Sequence, residues 1–116
     1  MLNIAVLVSG GGTNLQALLD SEARGENPDG RIRLVVASKP GVYALERAAN
    51  AGVEGVVVRQ KDYASSEDFD AALLKTLKEH NIDLVVLAGF LSVLGPSVIE
   101  AYPRRILNIH PALIPV

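Results

Sequence analysis

The chain has 116 residues, of which 49% are hydrophobic and 21% charged, with a formal net charge of −2 and no cysteine. This composition is typical of one globular domain and excludes a disordered chain. The charge provides no basic surface for nucleic acid or an anionic membrane, and the lack of cysteine excludes disulfides, thiolate metal sites and cysteine catalysis. There is no signal-peptide pattern and no apolar run of about 20 residues, so we expect a soluble cytoplasmic protein.

Predicted strands and helices alternate along the chain. The strands are short apolar runs rich in β-branched residues, at residues 4–8, 31–37, 53–58, 84–87 and 106–109. Between them, apolar residues three and four positions apart indicate helices beginning near residues 13, 45 and 65, and Pro96 can start a short fourth helix. Continuous apolar strands separated by helices predict an α/β fold, a Rossmann-like parallel sheet with helices on both faces.

The helix ends carry further predictions. Thr13 and Gln16 fit a capping box at the start of the first helix, and Ser65 is expected to open the third helix. His80, at the end of the third helix, is expected to be structural, because a cation is favoured beside a helix C-terminus. Three acidic residues are expected to form an exposed surface in the first turn of the third helix: Glu67, Asp68 and Asp70.

A glycine run, Ser9-Gly10-Gly11-Gly12-Thr13-Asn14, follows the first predicted strand. Ligands in parallel α/β sheets bind beyond the carboxyl ends of the strands, and a helix start offers free N–H groups to an anion. We therefore interpret this loop as a site for a single phosphate. The dinucleotide fingerprint fits less well, because Leu15 replaces its third glycine and no acid follows the second strand. The alternative without a ligand is a glycine turn before a capped helix.

Asn108 and His110 stand at the end of the fifth predicted strand. Because side chains alternate along a strand, both are expected to project to one side, with Ile109 opposite. An amide can donate to a developing oxyanion and an imidazole can move a proton near neutral pH, so the pair fits acyl transfer. From the residues alone, a structural role for both is at least as well supported. No histidine or carboxylate cluster in the sequence has metal-site spacing.

Taken in order, these motifs resemble those of the phosphoribosylglycinamide formyltransferases, which formylate glycinamide ribonucleotide in purine synthesis. Four segments carry the resemblance: residues 9–14, similar to the S-G-x-G-S/T-N phosphate loop; 45–48; 87–91, similar to L-A-G-F/Y-M; and 107–115, similar to N-I-H-P-S-L-L-P. The departures are Leu91, Ser92 and Ala112, which stand where the family commonly has methionine, a basic residue and serine.

The resemblance implies a role for each matched residue. Gly12, Thr13 and Asn14 would hold the nucleotide phosphate, and Asn108 and His110 would be catalytic. Asn108 would also contact the folate, together with one run of residues: Phe90, Leu91, Ser92, Val93 and Leu94. The implied substrates are 10-formyltetrahydrofolate, as formyl donor, and glycinamide ribonucleotide. No metal, nucleic acid or membrane would take part, and a homodimer is left open.

The resemblance also sets an expectation for the extent of the domain. Residues 1–116 would form the N-terminal, phosphate-binding half of a truncated formyltransferase fold. The C-terminal folate half, with a catalytic aspartate, would be absent from this chain, so we expect no formyl transfer from it alone. The alternatives are another 10-formyltetrahydrofolate-using formyltransferase or hydrolase, and a non-catalytic nucleotide- or phosphate-binding module.

Overall fold

The structure is a computed structural model, and it describes residues 1–26, 28–92 and 94–109. The strands are β1 Leu2–Val8, β2 Gly30–Ala37, β3 Glu54–Val57, β4 Leu84–Ala88 and β5 Ile106–Ile109. The helices are α1 Thr13–Ala23, α2 Tyr43–Asn50, α3 Ser66–Glu79 and α4 Pro96–Ala101, and a 3₁₀ turn at Gln60–Asp62 precedes α3. These elements agree with the predicted order, and β5 has the predicted bounds.

The five strands pair in parallel in the order β3-β2-β1-β4-β5. The chain therefore begins at the centre of the sheet, winds to one edge through β2 and β3, and then crosses back to β4 and β5. This topology confirms the predicted Rossmann-like fold. In such sheets a crevice opens beyond the carboxyl ends of the strands where the order reverses, which here is between β1 and β4.

Helices cover both faces of the sheet, which explains why its strands read as continuous apolar runs. One face packs on α1 and α2 through residues such as Val6 and Leu15. The other packs on α3 and α4 through residues such as Leu7 and Phe69. Burying a leucine or phenylalanine side chain fully contributes roughly 1.5–3 kcal/mol, so burial on both faces stabilises the central strands β1 and β2.

Two negative findings apply to the described part of the chain. None of its helices combines the length and apolar character that a membrane crossing requires. Nor do its histidine, aspartate and glutamate side chains gather in any group of three or more that could hold a metal ion.

The predicted capping box at the start of α1 is wrong. The N-cap is Gly12, in the left-handed region with φ of +83°, and no described side chain caps the helix there. Gln16 instead donates its backbone N–H to the Gly12 carbonyl and its side chain to Asp20. The turn after β1 needs a left-handed residue, which glycine adopts at little cost. The helix therefore starts one residue earlier than a Thr13 cap would place it.

At α3 one prediction is confirmed and one is wrong. Ser65 caps the helix as predicted, accepting the Asp68 N–H at 3.1 Å. Asp70, however, is only 2% exposed, and its carboxylate accepts the backbone N–H groups of Gly95 at 2.9 Å and Ser97 at 2.8 Å. It follows Phe69 on the buried side of the helix, where tertiary packing gives it donors from the start of α4. An added Cβ at Gly95 would lie 2.6 Å from Asp70 Cγ, so a glycine permits this approach.

We expect Asp70→Ala to lower the free energy of unfolding by about 2–3 kcal/mol, because it removes a helix cap and leaves two backbone donors without an acceptor. Glu67→Ala removes an exposed carboxylate from the first turn of the same helix and should cost less than about 1 kcal/mol. Urea unfolding followed by circular dichroism measures both variants. Equal losses would contradict the role assigned to Asp70.

His80 has the structural position predicted for it, as the C-cap of α3. Its Nδ1 lies 2.8 Å from the Thr76 carbonyl oxygen, and its Nε2 lies 3.0 Å from Glu54 Oε2 at the start of β3. Only the protonated ring can donate both bonds. The Thr76 carbonyl first, and then the Glu54 carboxylate, therefore raise the pKa of His80 above its ordinary value of 6.5.

Because the pKa is raised in the folded state, the stabilisation by His80 is complete below pH 6.5 and is lost as the pH rises through the folded pKa. As the pH rises through this pKa, we expect the free energy of unfolding to fall more steeply in the wild-type chain than in His80→Gln. Urea unfolding at several pH values between about 5 and 8 measures the two slopes. Glu54→Gln keeps the Thr76 contact and should give an intermediate slope. Identical slopes for wild type and His80→Gln would refute this linkage.

Candidate functional site

Two loops meet at the carboxyl edge of the sheet, where the strand order reverses. We call residues 9–12 the glycine loop and residues 89–95 the β4–α4 loop. The Leu91 N–H donates to Ser9 Oγ at 2.8 Å, and the Ser38 hydroxyl donates to the same oxygen at 2.7 Å. Ser9 is 4% exposed. One buried hydroxyl therefore connects the segments that follow β1, β2 and β4.

Gly12 determines the shape of the glycine loop. At its φ of +83° an L side chain is strained, and an added Cβ would lie 2.7 Å from Ala44 Cβ on α2. An added Cβ at Gly10 or Gly11 would meet no described atom within 4 Å. The packing of the loop thus requires only the last of the three glycines, and open space lies beside the other two.

The residues predicted to hold a phosphate lie together at this loop. Thr13 and Asn14 are the first two residues of α1, so their backbone N–H groups belong to those that a helix start leaves without an intrahelical acceptor. The first turn of α1 is fully described and carries no acidic residue. The positive end of the helix dipole therefore has no opposing charge within its own first turn.

A cavity of about 620 Å³ opens between the ends of the strands and the β4–α4 loop. Three cations line it, Lys39 after β2 and Arg59 and Lys61 after β3, and its described lining contains no acid. Arg59 Nε forms an ion pair with Asp62 Oδ2 at 3.9 Å, a distance longer than a hydrogen bond, so an acid outside the described lining offsets only part of its charge. The cavity is therefore suited to an anionic group. Sequence reasoning missed it because the cations come from two separate connections.

The β4–α4 loop presents an apolar surface beside this cavity. Leu91 is 79% exposed and Ser92 lines the cavity wall, while Phe90 and Leu94 are half-buried against the face of the sheet that carries α3 and α4. The loop is anchored by the Leu91 bond to Ser9 and by the Gly95 bond to the Asp70 carboxylate. An exposed leucine on an anchored loop can support a ligand ring. Val93 lies outside the described residues.

Asn108 lies on β5, paired with Leu87 of β4, and is exposed. Its neighbour Ile109 packs against the face of the sheet that carries α1 and α2, whereas Ile106 packs against the opposite face. Strand alternation then places Asn108 on the side opposite Ile109, the same side as Ile106. His110 lies outside the described residues, so its pairing with Asn108 stays a prediction.

The chain is similar to known proteins along its whole length. Residues 2–116 match a family model described as formyl transferase. The chain is 45% identical over 115 residues to the trifunctional purine biosynthetic protein adenosine-3 of Drosophila melanogaster, a match covering 97% of this chain and 8% of that protein. It is 39% identical over 114 residues to the phosphoribosylglycinamide formyltransferase of Escherichia coli (strain K12), a match covering 98% of this chain and 53% of that protein.

A solved structure shows the same fold. Glycinamide ribonucleotide transformylase 1 from Symbiobacterium toebii superposes with a TM-score of 0.91 at 45% identity, over 100% of this chain and 54% of that one. The chain thus spans about half the length of these two relatives. Its similarity to them extends over both loops of the candidate site.

We expect Gly12→Ala to lower the free energy of unfolding by about 2–4 kcal/mol, because it combines a left-handed backbone with an overlap against Ala44. Gly10→Ala has open space and no left-handed backbone, and should change the same quantity by less than about 1 kcal/mol. Chemical denaturation of both variants provides the measurement. A Gly12→Ala chain as stable as the Gly10→Ala chain would contradict this account of the loop.

Proposed function

The chain belongs to the formyl transferase family, and from this we propose that it forms the N-terminal, phosphate-binding domain of a phosphoribosylglycinamide formyltransferase. The enzyme would transfer the formyl group of 10-formyltetrahydrofolate to the primary amine of glycinamide ribonucleotide in de novo purine biosynthesis. It would act on small molecules in the cytoplasm, without a nucleic acid or membrane partner. Relatives named for this activity match at least 98% of the chain.

The observation that carries this proposal is the meeting of the glycine loop and the β4–α4 loop at one crevice, joined by Ser9. The glycine loop has open space beside Gly10 and Gly11, and it leads into a helix whose first turn carries no acidic residue. This arrangement suits one phosphate. Glycinamide ribonucleotide carries one phosphate, whereas a dinucleotide would call for the glycine that Leu15 replaces. Glycinamide ribonucleotide bound at the glycine loop and the formyl donor bound at the β4–α4 loop would lie next to each other.

The cationic cavity supports a folate as the second substrate. A folate has an aromatic ring system at one end and a glutamate at the other. Its binding site therefore needs an apolar surface next to a positively charged region. Leu91 offers the first, and Lys39, Arg59 and Lys61 offer the second. The volume of about 620 Å³ is within the range of roughly 300–1,000 Å³ usual for small-molecule sites. The family resemblance did not assign any of these three cations.

In the proposed reaction the amine nitrogen of glycinamide ribonucleotide attacks the formyl carbon, and the formyl oxygen becomes negatively charged. The Asn108 amide donates to that oxygen, and His110 moves a proton from the attacking amine to the departing folate nitrogen. The exposure of Asn108 near the carboxyl end of β5 supports this role. β5 pairs with β4, and the β4–α4 loop, which would bind the formyl donor, follows β4. The bond from the amine nitrogen to the formyl carbon forms first and gives the tetrahedral oxyanion. The bond from that carbon to the folate nitrogen breaks when the oxyanion returns to a carbonyl.

The proposal is tested by replacing the matched segment of the Escherichia coli formyltransferase with residues 1–116, since the two sequences align over 114 residues. We expect the chimera to formylate glycinamide ribonucleotide from 10-formyltetrahydrofolate, and residues 1–116 alone to show no transfer. In the chimera, Asn108→Ala should lower turnover at least about a hundredfold, through loss of an oxyanion donor worth about 2.7–4 kcal/mol.

Asn50→Ala is the matched control, because Asn50 is an exposed residue at the end of α2 and should leave turnover unchanged. A chimera that is folded by circular dichroism but transfers no formyl group would contradict the proposed function. Hydrolysis of the donor with no formylated product would instead identify a hydrolase. Near-wild-type turnover of Asn108→Ala would refute the role of that residue.

A further inference from the structure

One cation on α2 is fixed against the glycine loop. Arg47 Nε donates to the Gly11 carbonyl oxygen at 2.8 Å, and its Nη1 donates to Gln16 Oε1 at 3.1 Å. Its Cζ lies 4.7 Å from the centroid of the Tyr43 ring, on the same helix. A guanidinium is planar and its donors have fixed directions. These three contacts therefore determine both the position and the orientation of the group.

The bond to Gly11 controls the direction of a loop donor. The peptide bonds of the described residues are trans, and in a trans peptide the carbonyl of one residue and the N–H of the next point in opposite directions. With the Gly11 carbonyl turned toward Arg47 on α2, the Gly12 N–H is directed away from α2. The bond also occupies a carbonyl oxygen that would otherwise repel an anion at the loop.

We propose that Arg47 is a positioning residue for the substrate phosphate. It holds the Gly11–Gly12 peptide so that the Gly12 N–H and the start of α1 face the phosphate together. The inference rests on the proposed function, because it takes the glycine loop as the site of the glycinamide ribonucleotide phosphate. A direct ion pair with the phosphate is the competing role. The geometry favours positioning, since Nε, Nη1 and one face of the guanidinium already have partners on the protein.

The test compares two substitutions of Arg47 by calorimetric titration of the chain. The ligands are glycinamide ribonucleotide and the corresponding nucleoside without phosphate. The dissociation constant of the nucleoside divided by that of the nucleotide measures the contribution of the phosphate to binding. Arg47→Lys keeps the charge but not the planar pair of donors, and Arg47→Met removes both. We expect the ratio to fall at least about tenfold in both variants, because a hydrogen bond from a charged group is lost in each. A change in stability alone would affect nucleotide and nucleoside equally and leave the ratio unchanged.

Two further variants control the experiment. Arg24→Met removes a cation that is exposed and paired with Glu26 just after α1, and should leave the ratio unchanged. Tyr43→Leu keeps Arg47 but removes the ring beneath it, and should lower the ratio about two- to fivefold. Tyr43 is 52% exposed, so this variant tests the inference even where an Arg47 variant fails to fold. An NMR titration should show the Gly12 amide resonance shifting on nucleotide binding in the wild type and not in Arg47→Lys.

The outcomes separate this inference from the proposed function. If Arg47→Lys keeps the wild-type ratio, the charge of residue 47 is sufficient, and its role as a positioning residue would be overturned. An unchanged ratio in both Arg47 variants would overturn the inference and leave the proposed function intact. A wild-type chain that binds nucleotide and nucleoside equally would overturn the phosphate site itself, and the inference with it.

Discussion

The buried hydroxyl of Ser9 is the contact on which the arrangement of the candidate site depends. It accepts the Leu91 N–H and the Ser38 hydroxyl, so the segments after β1, β2 and β4 share one oxygen atom. Only the strand at the centre of this sheet order has β2 on one side and β4 on the other. The residue that follows β1 is therefore well placed to reach both neighbouring connections. Without this acceptor the partly buried Leu91 N–H would lose its described partner, at a cost of about 1–3 kcal/mol.

Charge at the site is organised locally rather than by the whole chain. The net charge is −2, yet the carboxyl edge of the sheet combines the start of α1 with a cavity lined by Lys39, Arg59 and Lys61. Charges act over about 8–10 Å at physiological ionic strength, so a local group of cations can attract an anion on a slightly acidic protein. The proposed substrates carry a phosphate at one end of the site and carboxylates at the other, which fits two separate positive regions.

Bonds from side chains to backbone hold the loops in place. Arg47 binds the Gly11 carbonyl, Ser9 binds the Leu91 N–H, and the Asp70 carboxylate binds the Gly95 N–H. Each of these bonds starts from a strand end or a helix whose own position is set by the packed sheet. The loops can therefore present backbone N–H groups and an exposed Leu91 to ligands while their ends stay anchored. Such anchoring reduces the entropy that ligand binding would otherwise have to overcome.

Local patterns were enough to predict the elements and their order, because periodicity, strand composition and helix caps depend on neighbouring residues. The apolar runs predicted the parallel sheet, residues 106–109 matched β5, and Ser65 capped α3 as expected. The ordered motifs also indicated the formyl transferase family, to which the chain belongs. Even so, a local pattern can mislead, as it did where the left-handed Gly12 replaced the predicted Thr13 cap.

Which distant groups meet depends on how the whole chain folds. The bonds of Ser9 with Leu91, Arg47 with Gly11 and Asp70 with Gly95 span 82, 36 and 25 positions. The cations of the cavity likewise come from the separate connections after β2 and β3. Strand order and the direction of the crossovers bring these segments together, and no local pattern encodes either of them. A residue such as Asp70 therefore looks like helix surface in the sequence and becomes a buried cap in the fold.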